Sequence, residues 1–378
     1  MHVDRVFKKS APNSKLTLYL SSRDLVISDS KIDKLQGVLL VDPDYLQDRK
    51  VYGQVTLTFR YGREDEEVMG LKFCNEAVMC LAQLYPPHER ALPYPTTPLQ
   101  EALIKRLGPN AHPFTMEVTP LAPPSVQLVP AKEYSGAPIG TSYDVRAYVA
   151  ERADEKLHRR STVRMGIRVL QQCLPSAPGT VAPSIQQLAG PPPHATVEKP
   201  FLLSDGRVEL EASLDKSVYS HGESIIVFVV QHVDVCMFSN GKFKNVVALV
   251  TSHDECPIGP GASLNRTYTL HPVKGATKNW IALEDSFNRA GASLASTVTC
   301  TSNSPDDRNV FAIYVSYYVK VKLLVGAIGG ELSLKLPFKL THTPSAEMTE
   351  SPRPGVSSDK KSAREEEDVI LKCDEEPT

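Results

Sequence analysis

Thr162-Val163-Arg164-Met165-Gly166-Ile167-Arg168-Val169-Leu170, entered through His158-Arg159-Arg160-Ser161, puts Val163, Met165, Ile167 and Val169 on one side and Thr162, Arg164, Gly166 and Arg168 on the other. That is the period of a half-buried strand. Arg164 is expected near the middle of this strand, just ahead of a Pro-rich stretch. A guanidinium there is desolvated if carboxylates from both halves of the chain converge on it; the alternative is a solvated arginine on an edge strand. Removing one partner of a buried ion pair costs about 3–5 kcal/mol, so the first arrangement would be a switch for an incoming anion.

Outward from that strand the chain repeats the pattern. On the N-terminal side, strands are expected at Val6–Lys9, Leu16–Leu20 running toward Arg23-Asp24, Gly37–Val41 ending at the turn Asp42-Pro43-Asp44, and Val51–Tyr61. Val68–Phe73 is expected to pair back on the last of these. Further strands fall at Phe114–Val118, Val126–Val129 and Tyr143–Val149. One helix interrupts them after Thr97, with Pro98 at its first position, Gln100 completing a capping box, an apolar stripe of Leu99, Ala102, Leu103 and Leu107, and Gly108 as the stop.

On the C-terminal side, Pro175 to Pro200 is Pro-rich and reads as a stiff connector. Beyond it, strands are expected at Val208–Leu214, Ile225–Val235, Phe243–Val250, Ser263–Leu270, Val310–Val325 and Glu331–Leu340. After Pro344 aromatic residues vanish and Ser, Pro and charge dominate, with Val369-Ile370-Leu371 the one segment able to pack. The fold class is therefore all-β, two sandwiches in tandem with a short helix on the first: 1–174, a hinge at 175–200, 201–343, and a flexible acidic tail at 344–378.

The 378 residues carry a net charge of −2, which excludes nucleic-acid or membrane-surface binding driven by bulk positive charge. The seven cysteines form no C-x-x-C pair, Met1-His2-Val3-Asp4-Arg5 opens no signal-type apolar run, and no apolar stretch reaches the ~20 residues of a spanning helix. A reduced, cytoplasmic protein that is not integral to a membrane is expected. Enzyme motifs are absent: there is no G-x-S-x-G, no H-E-x-x-H and no phosphate-cradling glycine loop, and the ten histidines are not at metal-ligand spacing. Asp42 and Asp44 read as turn residues and Cys74 and Cys80 as small hydrophobes, so no catalysis, cofactor or metal is expected. Arg5, Lys8, Lys9 and Arg23 are instead placed to form a local cationic patch suited to phosphate.

Both halves resemble the arrestin family, nearest its invertebrate visual members. The resemblance rests on Arg5-Val6-Phe7-Lys8-Lys9, Leu16–Leu20 with Arg23-Asp24, Phe59-Arg60-Tyr61-Gly62-Arg63-Glu64-Asp65, Leu99-Gln100-Glu101 to Gly108, Pro113-Phe114-Thr115, Thr162-Val163-Arg164, Tyr219 with His221-Gly222-Glu223, Leu294-Ala295-Ser296 and Gly329-Gly330-Glu331-Leu332. It implies a non-enzyme that binds activated, phosphorylated seven-helix receptors, opsin foremost, and blocks G-protein coupling, recruited from the cytoplasm to the photoreceptor or plasma membrane. An endocytic adaptor that engages coat proteins is the alternative, and inositol phosphates or phosphoinositides are further implied ligands. No segment of the tail reads as an L-I-E-L-D-type coat-binding peptide, which favours signal termination.

By position, the resemblance makes Lys8 and Lys9 the first phosphate contacts, with Arg5 and Arg23 beside them. It assigns Asp24, Arg164 and Glu284 to a buried polar core, and Gly62, Arg63, Glu64, Asp65, Glu66, Glu67, Val68 and Met69 to a finger loop that enters the receptor. Ala131–Ser142 and Met237–Val247 become two further receptor loops, and Val369, Ile370 and Leu371 a tail anchor along the first strand. Three departures stand out. Gly291 occupies the place of the core's second acid, and no arginine follows the tail anchor. The chain is also shorter than the family between Glu223 and Val235, so a pair of second-half strands is expected to be cut short or fused.

Overall fold

The computed structural model describes residues 5–28, 31–60, 67–68, 71–72, 74–88, 94–130, 139–155, 157–172, 190–201, 206–221, 223, 225, 229–236, 241–253, 259, 261–274, 280–284, 293–298, 312–325, 330–341 and 367–370.

In the first half, β1 (Arg5–Ser10), β2 (Leu16–Leu20), β3 (Asp24–Ser28), β4 (Lys31–Ile32) and β5 (Leu35–Val41) are followed by a single helical turn, α1 (Pro43–Leu46). Next come β6 (Lys50–Arg60), the two-residue arms β7 (Glu67–Val68) and β8 (Leu71–Lys72), β9 (Cys74–Tyr85), helix α2 (Pro98–Leu107), β10 (Ala111–Met116), β11 (Val126–Pro130), β12 (Ile139–Ala150) and β13 (Val163–Gln171). One sheet has the order β10-β5-β2-β1; the facing one runs β11-β12-β13-β3-β4, with β6 on β12 and β9 at the outer edge of β6. The alternation decides what lies between them. Leu16, Leu18, Leu20 and Leu39 from one sheet meet Val55, Leu57, Val145, Val163, Met165, Ile167 and Val169 from the other in a single core. Each such side chain contributes about 1.5–3 kcal/mol on burial.

The strand that returns on β6 is Cys74–Tyr85, not Val68–Phe73 as expected; Val68 pairs Leu71 in a small hairpin instead. β9 lies on the sheet's edge with Val78 and Leu81 exposed, so it lacks the apolar-in, polar-out alternation that betrays a strand. Helix α2 follows its caps. Thr97 Oγ1 accepts from the Gln100 amide (3.3 Å) while Gln100 Oε1 accepts from the Thr97 amide (2.9 Å). The Gln100 side chain then donates to the carbonyls of Gly37 (2.9 Å) and Phe114 (3.0 Å), locking the helix to β5 and β10.

The second half holds β14 (His194–Pro200), β15 (Arg207–Ser213), β16 (Val218–Ser220), β17 (Val229–Cys236), β18 (Gly241–Ala248), β19 (Trp280–Glu284), β20 (Ala312–Leu324) and β21 (Glu331–Thr341). A sheet of order β16-β21-β20-β17-β18 and the β14–β15 hairpin enclose a core of Ile313, Val315, Tyr317, Leu334, Leu336 and Phe338. His194–Pro200, expected in the connector, is a full strand whose Ala195 and Val197 pack on that core. Ser263–Leu270 forms no strand: Leu270 makes an isolated bridge with Ile225. Ile225 is likewise outside any strand, β17 begins at Val229, and it pairs with both β18 and β20 along its length.

The two halves share a ladder that the sequence does not announce. β11 pairs antiparallel with β19, Val126 opposite Glu284 and Pro130 opposite Trp280, and Phe59, Val126 and Leu128 belong to the second half's core. Gly140, at φ +140°, makes room for this: a Cβ there would lie 2.1 Å from the Val126 carbonyl. Finally β22 (Glu367–Ile370) extends the first sheet beyond β1.

Candidate functional site

The outward face of the β9-β6-β12-β13-β3 sheet carries a row of ion pairs. Arg164 and Arg146 are directly opposite each other across β13 and β12, and Asp144 is two residues from Arg146 on the same face. Arg164 Nη2 donates to Asp144 Oδ2 at 2.6 Å, and Arg146 Nε donates to Asp144 Oδ1 at 2.6 Å. Arg146 also holds Glu76 of β9 through both terminal nitrogens, at 3.1 and 2.7 Å. The Asp144 side chain is only 6% exposed, whereas Arg164 is 47% exposed. The hydrogen bond from Arg146, followed by its charge, outweighs burial and holds the Glu76 carboxyl below its ordinary value. For Arg146 itself burial is the largest influence and opposes the charge, yet the bonds to Glu76 and Asp144 overcome it and raise the guanidinium's pKa.

Four residues along β13, Arg168 stands opposite Asp24 in the parallel register of β13 and β3. Its Nε and Nη2 grip the carboxylate in a fork, 2.7 Å to Oδ1 and 2.5 Å to Oδ2. The neighbouring Arg23 is buried; its Nε donates to the Gly166 carbonyl (2.7 Å) and its guanidinium lies 5.7 Å from the centre of the Phe7 ring.

The expected trio of Asp24, Arg164 and Glu284 does not converge. Arg164 is the second residue of β13 rather than its middle, and four residues of strand separate it by about 13 Å from the position facing Asp24. Glu284, buried at the end of β19, is satisfied within the second half. Ser296 Oγ donates to its Oε1 at 2.6 Å and Ser293 Oγ to Oε2 at 3.4 Å. His221 Nε2 lies 3.0 Å from Ser296 Oγ and 3.6 Å from Glu284 Oε1.

Nor do the four expected cations share one face. Lys8 is opposite Tyr19 and Lys9 opposite Leu18 on β2. Tyr19, with Val6, belongs to the cluster under α2, and Leu18 to the main core, so the two lysines point to opposite sides of the sheet. Arg23 is taken up by Gly166 and Phe7, and the Arg5 side chain lies outside what is described. Lys8 and Phe7 do, however, stand opposite Glu367 and Asp368 of β22, with Val6 opposite Val369 and Arg5 opposite Ile370. Leu371 lies outside the described residues. Of the finger-loop residues Glu67 and Val68 form β7, while Gly62–Glu66 and Met69 lie outside the described residues. The two other loops are shorter than expected, because 139–142 belong to β12 and 241–247 to β18.

Asp42 caps α1, accepting from the Tyr45 amide (3.2 Å), and pairs with Lys15 (2.7 Å). Cys74 and Cys80 are free thiols, and burial pushes the Cys80 thiol up, away from a reactive thiolate. The sequence reading missed Asp144, Arg146, Glu76, Arg168, His221 and Ser296 as partners. Asp144-Val145-Arg146 was legible as two opposite charges on one strand face; which arginine faces which acid depends on register.

The N-terminal-domain model of arrestin (or S-antigen) matches residues 16–172. The chain is 43% identical to an arrestin homolog of Heliothis virescens, the match covering 89% of this chain and 90% of that protein. It is 40% identical to the lateral-eye arrestin of Limulus polyphemus over 97% of this chain and 90% of that one. To bovine beta-arrestin-2 it is 39% identical, over 93% and 84% respectively.

Proposed function

The chain belongs to the arrestin family of non-enzymatic binding proteins, and from that premise we propose that it binds an activated, phosphorylated seven-helix receptor, opsin foremost, and ends signalling by excluding the G protein. The observation that carries the reading is the edge of β1. There the acid-bearing strand β22 is held by a four-position backbone ladder beside a lysine-bearing strand. A phosphorylated receptor segment offers the same backbone with more negative charge, so it exchanges for β22 and gains charge-assisted bonds to Lys8 and Lys9. The loop that includes β7 and β8 then enters the receptor's cytoplasmic cavity. Among the described residues no helix is long and apolar enough to cross a membrane; in this reading the protein meets the membrane through the receptor. Lys322, Lys335 and Lys339 on the outer side of β20 and β21 suit inositol phosphates or phosphoinositides beside it.

Replacing Lys8 and Lys9 together with alanine weakens binding to phosphorylated, light-activated opsin more than to its dephosphorylated form, and the difference shrinks as salt rises. Equal loss for both forms removes the phosphate role. The similarity to beta-arrestin-2 supports the adaptor reading as a second possibility; capture of clathrin-coat proteins by the opsin-bound chain would establish it, and their absence leaves signal termination.

A further inference from the structure

We propose that Ser161 is a phosphorylation site for an ATP-dependent protein kinase that selects basic substrates, and that its phosphate reverses the charge of the exposed turn between β12 and β13.

The charge around this serine defines the class of enzyme. Arg159 and Arg160 precede it and Arg164 follows at the third position, and all three arginines are exposed. A substrate groove lined with carboxylates can grip such guanidiniums through paired, charge-assisted bonds, whereas a groove built for acidic substrates repels them.

Two neighbouring hydroxyls compete for the role, and burial separates them. The spacing of the arginines suits Thr162 as well, but Thr162 is only 8% exposed and the next residue, Val163, already begins β13. Its Oγ1 donates to the His158 carbonyl at 3.0 Å. Ser161 lies on the turn itself, half-buried, and its Oγ reaches the same carbonyl over a longer 3.3 Å. The more open residue thus has the weaker bond to give up.

The segment has a fixed base and a loosely held end. At the base, Tyr148 donates to the Ala153 carbonyl (2.8 Å), Glu155 Oε1 accepts from the amides of Glu151 (2.9 Å) and Arg152 (2.8 Å), and Leu157 packs on the Tyr52–Tyr148 cluster. Beyond Leu157 the amides of Ser161 (3.0 Å) and Thr162 (3.1 Å) both donate to the His158 carbonyl, and the Arg160 carbonyl accepts from the Asn13 amide (3.0 Å). Releasing these bonds lets 158–161 extend into a kinase groove while Leu157 and Val163 stay in their clusters. Local openings that spare the core are the inexpensive ones.

In the transfer, Ser161 Oγ attacks the γ-phosphorus of ATP. The Oγ–P bond forms, the bond from that phosphorus to the β–γ bridging oxygen breaks, ADP leaves, and the hydroxyl proton passes to the kinase's base. A donor facing the His158 carbonyl becomes an anion facing it, so that bond is lost and the phosphate turns to the guanidiniums of Arg159 and Arg160. Residues 151–161 carry four basic and three acidic side chains; a phosphate of about −1.5 to −2 makes the segment net negative.

The test treats the folded full chain with magnesium ATP and either the catalytic subunit of cyclic-AMP-dependent protein kinase, which selects basic substrates, or casein kinase 2, which selects acidic ones, and reads occupancy at each serine and threonine by tandem mass spectrometry. Phosphate is expected on Ser161 with the first kinase and ~10-fold less with the second. Replacing Arg159 and Arg160 together with glutamine lowers Ser161 occupancy by ~10-fold at an unchanged melting temperature, while Thr162→Val moves it by less than ~2-fold. The assignment is overturned if Ser161 stays unmodified, if the phosphate falls on Thr162 instead, if both kinases modify Ser161 equally, or if Ser161 is modified only in chain unfolded by heat.

Discussion

Asp144 and Asp24 lie on the outward face of one sheet, and each binds an arginine of the same strand, β13. They differ in what surrounds them. Among the described residues, Asp144 is almost sealed and shared by two guanidiniums, while Asp24 is a third exposed and gripped by one. Burial makes the first pair costly to break, and double partnership makes it hard to switch. Partial exposure makes the second pair weak as a brace and leaves it in contact with solvent. What a polar pair is worth to stability thus depends on how far its charges are desolvated, not only on its hydrogen-bond geometry. Glu284 is a third case: buried like Asp144, but met by two hydroxyls and an imidazole.

The comparison breaks most visibly at Asp144. Asp144→Ala leaves Arg146 without its closest acid in a desolvated site, and should cost about 3–5 kcal/mol in urea unfolding. A loss under ~1 kcal/mol would put Asp144 in the class of solvated surface pairs. At Ser296, alanine removes the 2.6 Å donor to buried Glu284, and the same measurement should show about 1–3 kcal/mol. For Asp24→Ala the stability loss should be about 1 kcal/mol or less, despite the bidentate geometry, since both side chains are partly solvated. If Asp24 proved as costly as Asp144, exposure would not be what separates them.

The smallest effect is in pH. Arg146 hydrogen-bonds Glu76 and holds its folded pKa below the ordinary 4.5, so the folded state binds fewer protons than the unfolded chain under acid conditions. The stabilisation is therefore complete above pH 4.5 and is lost as pH falls through the lower folded value. Thermal melts of Glu76→Gln from neutral pH downward should fall less steeply below pH 4.5 than those of the parent. An identical acid slope would mean that Arg146 does not discriminate between the two forms of Glu76.

The sequence by itself determined the elements whose residues carry their own instructions. The alternation of Val163 to Val169 made a strand, and Thr97, Pro98, Gln100 and Gly108 bounded the helix. Val369-Ile370 was legible as the sticky point of the tail, and the order of strands made two sandwiches. These are local matters of period, cap and turn. The edge strand β9 escaped because its exposed Val78 and Leu81 hide the period. His194–Pro200 escaped because the prolines just before it suggested a connector. Only the tertiary structure decided which charges meet. Arg164 and Arg168 sit on the same face of one strand with the same chemistry. What assigns one to Asp144 and the other to Asp24 is the antiparallel register of β12 on one side and the parallel register of β3 on the other. Register is set by long-range pairing of strands far apart in the chain, as is the β11–β19 ladder that carries Glu284 away from Arg164, and no residue near either arginine encodes it.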